Sequence, residues 1–232
     1  MNIISFLGNV QKFVPRFLAA FRITIELAVI SLIFATIVGI IVGLINTSKS
    51  KNIIMRFLRI LCNVYINIIR GTPMLVQILI IYYGIPQFLG FRWVDLGGMF
   101  PASVVVLTLN AGAYMAEIVR AGIEAVDPGQ IEASRSLGLS YGKTMRRIVL
   151  PQALRTMLPS IINQFIISIK DTSLMSTIGL AELTNVAKTI NANWSSATLA
   201  LYCYLACYYL IICLSLAQLS KFVERKMSYG RD

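Results

Sequence analysis

Charged residues divide the chain into long apolar runs, with uncharged intervals at 27–48, 71–91, 96–116, 156–169 and 189–220. A helix rising about 1.5 Å per residue needs roughly 20 apolar residues to cross a hydrocarbon core about 30 Å thick. Four of the intervals suffice alone. The interval at 156–169 reaches that length only if Lys170 and Asp171 are carried into or near the membrane, an arrangement costly enough to be usually functional. The pattern predicts an all-α integral membrane protein with five transmembrane helices, over about 23–45, 72–91, 98–118, 156–178 and 197–219.

An odd number of spans puts the termini on opposite faces. One face collects Lys49, Lys51, Arg56, Arg59 and Arg70, then Arg120, Arg135, Lys143, Arg146, Arg147 and Arg155, then Lys221, Arg225, Lys226 and Arg231. The other holds only Lys12, Arg16, Arg22, Arg92 and Lys188. By the positive-inside rule the N-terminus is outside and the C-terminus cytoplasmic. The apolar start Ile3 to Leu7 precedes Lys12 and Arg16, the reverse of a cleavable signal, so residues 1–22 are expected to form an interfacial helix. Residues 1–232 then form a single transmembrane domain with one conspicuous cytoplasmic loop, 120–155.

Composition agrees and removes whole classes of chemistry. With 57% apolar and 13% charged residues, the chain has about half the charge that a soluble surface needs, which excludes an ordinary soluble enzyme. It contains no histidine, so imidazole metal sites and Ser-His or Cys-His catalysis are absent. Cys62, Cys203, Cys207 and Cys213 form no CxxC pair and no metal-finger spacing, and read as small packing residues. The basic excess, 21 Lys and Arg against 10 Asp and Glu, is not interleaved with stacking aromatics on a soluble scaffold, so it points to the membrane and not to nucleic acid.

The cytoplasmic loop has the composition of a folded element. Asp127-Pro128-Gly129 signals a helix start, Ile131, Ser134 and Leu137 fall along one helical face, and Gly138 supplies a stop. A second short helix from about Ser140 carries Met145, Ile148 and Val149 beside Lys143, Arg146 and Arg147, and Pro151 ends or kinks it. On physical grounds alone, a pair of interfacial helices under the bilayer fits this stretch equally well. Gly138 to Thr144 imitates a phosphate-binding loop but is one residue short and follows no buried strand, so this stretch is not expected to bind nucleotide.

Polar residues inside the spans mark a candidate substrate path. Asn110, Tyr114 and Glu117 follow i, i+4, i+7 on the third span, and Gln164, Ser168 and Asp171 do the same on the fourth. The two spans run in opposite directions, so the two polar faces can meet near mid-membrane, where transporters commonly place their sites. Lys170 and Asp171 point about 100° apart on a helix. One can hold an anionic group and the other a cationic one, or both can reach the outer interface. Arg70-Gly71-Thr72-Pro73 opens the second span with either a pore-lining break or a plain helix start, and Gly39 and Gly43 permit close helix approach.

Glu132-Ala133-Ser134, Gly138 and Ile148-x-Leu150-Pro151 resemble the EAA signature of permease subunits in bacterial ATP-binding-cassette importers. Ser134 stands where that family usually has alanine. The likeness extends to Arg70-Gly71-Thr72-Pro73, Leu109-Asn110-Ala111, Tyr114 to Arg120, Leu150 to Arg155 and Lys170-Asp171-Thr172-Ser173-Leu174, and so covers nearly all of 20–220 in a form similar to the polar amino-acid branch. The resemblance implies the type I importer permease fold in a bacterial cytoplasmic membrane. It makes Glu132, Ala133, Ser134, Gly138, Ile148, Leu150 and Pro151 the residues that couple to an ATPase. Under it, the polar residues of the spans, Asn110, Tyr114, Gln164, Ser168, Lys170, Asp171, Thr172 and Ser173, are the expected substrate contacts, with no metal and no cofactor expected in this chain. Implied partners are a second permease subunit, identical or similar, two ATPases that bind ATP and Mg, an extracytoplasmic solute-binding protein and a polar amino acid. The rival reading is a membrane scaffold that recruits a soluble partner through the same loop without moving solute.

Overall fold

The computed structural model describes residues 3–193 and 198–228. Every regular element among them is helical: α1 Ile3–Thr47, α2 Ile53–Gly71, α3 Met74–Leu79, α4 Ile85–Leu89, α5 Met99–Glu124, α6 Pro128–Ser136, α7 Tyr141–Thr144, α8 Leu150–Asp171, α9 Leu183–Asn193 and α10 Thr198–Ser228. A π-turn, Ile80–Gly84, joins α3 to α4, and a second, Met145–Val149, joins α7 to α8. Each π-turn ends two residues before a proline, Pro86 and Pro151. A proline ring clashes with the carbonyl four residues earlier, and the wider π-turn relieves that clash. Pro151 therefore lies in the first turn of α8 and does not end the helix before it.

The centre of the protein is α5. Ala102, Val106, Leu107, Ala111, Ala113, Met115 and Ala116 are buried on it against α1, α2 and α8. Lipid is as apolar as leucine, so helices in a membrane associate by close packing of small residues and not by hydrophobic exclusion. Gly39 and Gly43 of α1 lie so close to α5 that a β-carbon on either would stand 2.3 Å from Met115 Cβ or 2.7 Å from Val119 Cβ. The close-approach reading of the Gly39 and Gly43 pair is what the structure shows. On its far side α1 exposes Val29, Ile33, Phe34, Ile37, Ile40 and Ile41, a face suited to lipid.

Several boundaries differ from expectation. The interfacial helix over 1–22 and the span from 23 are one continuous helix, α1, with Pro15 inside it; residues 1 and 2 lie outside the described residues. The second span does not begin at 72: helix starts at Ile53, breaks at Thr72-Pro73, and resumes at Met74 with the two axes bent by 111°. α5 runs on to Glu124 and α8 starts at Leu150, ending in a 3-10 turn, Thr172–Ile178. α9, Leu183–Asn193, is a helix that the apolar intervals do not predict. Residue 197, the expected start of the last span, lies outside the described residues, and α10 continues to Ser228.

By length and composition, three helical stretches among the described residues can cross a membrane, Val10–Thr47, Met99–Glu124 and Thr198–Phe222, and a fourth is available if the bent pair counts as one. α9 is held by a buried carboxylate. Glu182 is fully enclosed and accepts from the backbone amides of Thr184 (2.8 Å) and Asn185 (2.7 Å) and from the Tyr209 hydroxyl (3.1 Å) of α10. Thr24 of α1 adds a bond from the Leu183 amide to its Oγ1 at 3.2 Å. A buried polar group persists only when so satisfied, and here it ties the start of α9 to α10.

Candidate functional site

The break at Gly71-Thr72-Pro73 frees backbone carbonyls, and side chains recapture them. The Ile69 carbonyl would ordinarily accept from residue 73, but Pro73 has no N–H. Gln77 Nε2 replaces that donor at 2.8 Å and also reaches Thr72 O and Thr72 Oγ1, each at 3.0 Å. The Thr72 hydroxyl itself donates to Ile68 O at 2.7 Å. Gln77 Oε1 then accepts from Asn110 Nδ2 of α5 at 2.9 Å. A buried amide pair thus pins the broken helix to the central one, as backbone freed inside a membrane requires.

Two cavities lie along the line where α5 meets α8. One, of about 310 Å³, is lined by Thr72, Met74, Asn110, Tyr114, Gln164, Ile167 and Asp171. The other, of about 530 Å³, is lined by Arg70, Tyr114, Glu117, Ile118, Ala121, Gly122, Ala125, Thr156, Met157, Ser160, Asn163 and Gln164. Tyr114 and Gln164 border both. The first cavity extends toward the end of α8 that carries Asp171, the second toward the end of α5 that carries Ala125.

The structure therefore brings Asn110, Tyr114, Gln164 and Asp171 to one cavity. Ser168 is buried beside Gln164, whose Nε2 stands 3.5 Å from Ser168 Oγ. Thr172 is buried and donates to Ile169 O at 2.6 Å. Lys170 is exposed, and neither it, Ser168, Thr172 nor Ser173 lines either cavity. The roughly 100° between neighbouring helical residues sends Asp171 inward and Lys170 away. Arg70, grouped by sequence with the cytoplasmic charges, instead lines the larger cavity. Its guanidinium carbon stands 5.5 Å over the Tyr114 ring, and its Nη1 is 3.8 Å from Glu117 Oε1. Arg120 grips both Glu117 oxygens, from Nε at 3.0 Å and from Nη2, and pairs with Glu124 through Nη1. Thr156, Ser160 and Asn163 were also missed, although they continue the Gln164 face of α8 at helical spacing.

The loop over 120–155 is folded. Asp127 Oδ1 accepts from the Gly129 amide at 2.7 Å and caps α6. α6 ends in a Schellman motif: the Gly138 amide bonds Arg135 O at 3.0 Å, the Leu139 amide bonds Ser134 O at 3.2 Å, and Gly138 is left-handed at φ +82°. Ser134 is buried and its hydroxyl lies 3.0 Å from Thr144 Oγ1, which links α6 to α7. Leu137 does not share that face as expected. α6 stops at Ser136, and Leu137 points outward, 83% exposed. Glu132, Ala133, Gly138 and Pro151 are exposed as well, while Ile148 and Leu150 are half-buried.

Residues 35–229 match the family described as binding-protein-dependent transport system inner membrane component. The chain belongs to this family. The permease resemblance carried by the motifs is borne out, as is the assignment to the inner membrane. Among relatives of this permease, the L-cystine transport system permease protein of Bacillus subtilis is 41% identical over 217 residues, 94% of this chain and 88% of the relative. The arginine transport system permease protein of the same organism is 37% identical over 92% of this chain and 93% of its own. The glutamine transport system permease protein of Escherichia coli is 37% identical over 92% and 94%. The solved structure of an amino acid ABC transporter with histidines superposes with a TM-score of 0.85 at 34% identity, covering 97% of this chain and 99% of that one. A MetNI methionine ABC transporter structure, at 18% identity and a TM-score of 0.76, has the same fold. The permease is thus an all-helical type I subunit.

Proposed function

We propose that this chain is the transmembrane subunit of an importer that moves a polar amino acid into the cell, driven by ATP hydrolysis on a partner. Five segments cross the membrane in this reading: α1, the bent run from α2 to α4, α5, α8 and α10, with the N-terminus outside and α6 and α7 in the cytoplasm. The three long apolar helices and the bent pair support four of these crossings, and the packing of α8 against α5 and α10 supports the fifth. Two permease subunits, identical or paired with a similar chain, sit on two ATPases that bind ATP and Mg, and an external binding protein delivers the solute. Closure of the ATPases pulls on α6 through Glu132, Ala133 and the exposed turn at Gly138, and the cavity alternates between the two sides of the membrane.

The observation that carries the substrate assignment is the single cavity shared by Asn110, Tyr114, Gln164 and Asp171. Asp171 offers a carboxylate to the substrate ammonium, and Asn110 and Gln164 offer amides to its polar atoms. Because Gln164 carries no charge, the site favours a neutral side chain such as that of glutamine or cystine over arginine. The relatives named for cystine and glutamine transport agree with that range, and the one named for arginine tests it.

The deciding experiment coexpresses the tagged chain with its ATPase and measures ATPase activity against binding protein plus individual amino acids. Stimulation by a single amino acid establishes the importer and names its substrate. A stable preparation that recruits no ATPase from cells expressing one supports the scaffold instead. Asp171→Asn is expected to lower uptake at least tenfold with assembly intact, since a charge-assisted hydrogen bond is worth about 1.5–3 kcal/mol. Lys170→Met, whose side chain faces away from the cavity, is expected to keep uptake within about threefold, because exposed charges contribute about 1 kcal/mol or less. A scaffold tolerates both changes equally. Gln164→Glu is expected to shift preference toward cationic amino acids, read by competition of arginine and lysine with labelled glutamine.

A further inference from the structure

Arg70 is held in an unusual way for a charge inside a membrane protein. The guanidinium lies over the face of Tyr114, an attraction of the cation for the ring. Its distance to Glu117, 3.8 Å, is an ion pair but exceeds hydrogen-bond length. Both Glu117 oxygens are already occupied by Arg120. Among the described residues the Arg70 side chain makes no hydrogen bond, and, 41% exposed, it lines the larger cavity beside Tyr114, which also borders the smaller one, so its donors are accessible to a ligand. A planar fork of free donors next to a conduit for zwitterions matches a carboxylate in shape and charge.

We propose that Arg70 is the receptor for the substrate α-carboxylate at the neck between the two cavities, and that Glu117 competes with that carboxylate to release it. This rests on the importer reading above. Asp171 borders the smaller cavity and Arg70 the larger, so a zwitterion at Tyr114 lies between an anion and a cation of the protein. In the unloaded site Arg70 leans toward Glu117. A carboxylate arriving at the neck draws two N–H bonds from Arg70, while Glu117 stays neutralised by Arg120. As the substrate moves into the larger cavity, Glu117 reclaims Arg70, and the exit step is not slowed by an over-tight ion pair. Tyr114 acts as a positioning residue, because the guanidinium can turn between the two carboxylates without leaving the ring.

The test measures direct binding of labelled L-glutamine, L-cystine and L-arginine, and of their carboxamides, to the purified permease–ATPase complex without binding protein. The wild type is expected to bind at least one of the three and to reject its carboxamide. Arg70→Gln is expected to weaken binding of the free amino acid about tenfold or more and to lose discrimination against the carboxamide, with Arg70→Lys intermediate. Glu117→Gln is expected to bind the free amino acid severalfold tighter while uptake in proteoliposomes slows. Wild-type binding that survives Arg70→Gln unchanged in an intact complex overturns the proposal and leaves the importer reading standing. If Arg70→Gln does not assemble, unchanged or weaker binding by Glu117→Gln overturns it. Failure of the wild type to bind any of the three removes the amino-acid reading and the proposal together.

Discussion

A Gly39→Val permease is expected to lose most of its folded yield, read as the collapse of the monodisperse peak when detergent extracts are run by size exclusion. The β-carbon would meet Met115 Cβ at 2.3 Å, the Met115 carbonyl carbon at 3.0 Å and the Ala116 nitrogen at 3.1 Å. Two of these neighbours are backbone, which cannot swing aside. Relief requires α1 and α5 to separate, and the same movement opens the contact at Gly43 with Val119 and the packing of Val38 on Gly112. Overpacking of a core usually costs about 1–3 kcal/mol, and backbone clashes along the tightest helix pair place this case at or above that range. Gly142→Ala serves as the control. It too lies in a helix, but nothing stands within 4 Å of its added β-carbon, so its yield should match wild type. Equal yields of the two variants would mean that α1 and α5 are not so closely packed.

The reach and the failure of sequence reasoning share one cause. Absence of charge located α1, α5 and α10, which are the long apolar helices that can cross a membrane by length and composition among the described residues. The same criterion hid α2, whose Arg56, Arg59 and Arg70 interrupt the apolar run while Ile53, Phe57, Ile60, Val64 and Ile68 keep helical spacing. Periodicity, not charge, was the signal that described α2. Its arginines do different work: Arg59 donates to the carbonyls of Ser48 and Ser50 at 2.9 and 3.0 Å, and Arg70 enters the cavity. Asn110, Tyr114, Gln164 and Asp171, which line one cavity, were legible because they repeat along one polar face of each helix. Arg70-Gly71-Thr72-Pro73 offers a pore-lining break as one of two readings, but Gln77 lies in no motif, and the 111° size of the bend, which decides where Arg70 and Gln77 arrive, has no local signature. Lys170 shows the converse: it neighbours Asp171 in sequence, but helical rotation leaves it exposed and outside both cavities.

A Gly138→Val permease is expected to insert, assemble and hydrolyse ATP with its partner, yet to lose solute uptake at least tenfold. Nothing lies within 4 Å of an added β-carbon there, so the substitution creates no clash and the effect comes through the backbone. At φ +82° a β-branched residue is strained by roughly 1–2 kcal/mol, enough to favour a turn in which the Schellman bonds from Gly138 to Arg135 and from Leu139 to Ser134 are broken. α6 would then leave the angle to α7 that the Ser134 to Thr144 hydrogen bond fixes. The cost falls on a surface loop, so the buried contacts of α5 with α1 and α8 and the overall yield are untouched. Gly138→Asn separates backbone geometry from mere loss of glycine, because asparagine tolerates the left-handed region. It is expected to retain most uptake. Proteoliposomes that report ATPase and uptake side by side give the ratio that matters: a normal ratio for valine would remove the turn from the coupling path, whereas a ratio lost with valine and kept with asparagine assigns coupling to the conformation of one residue.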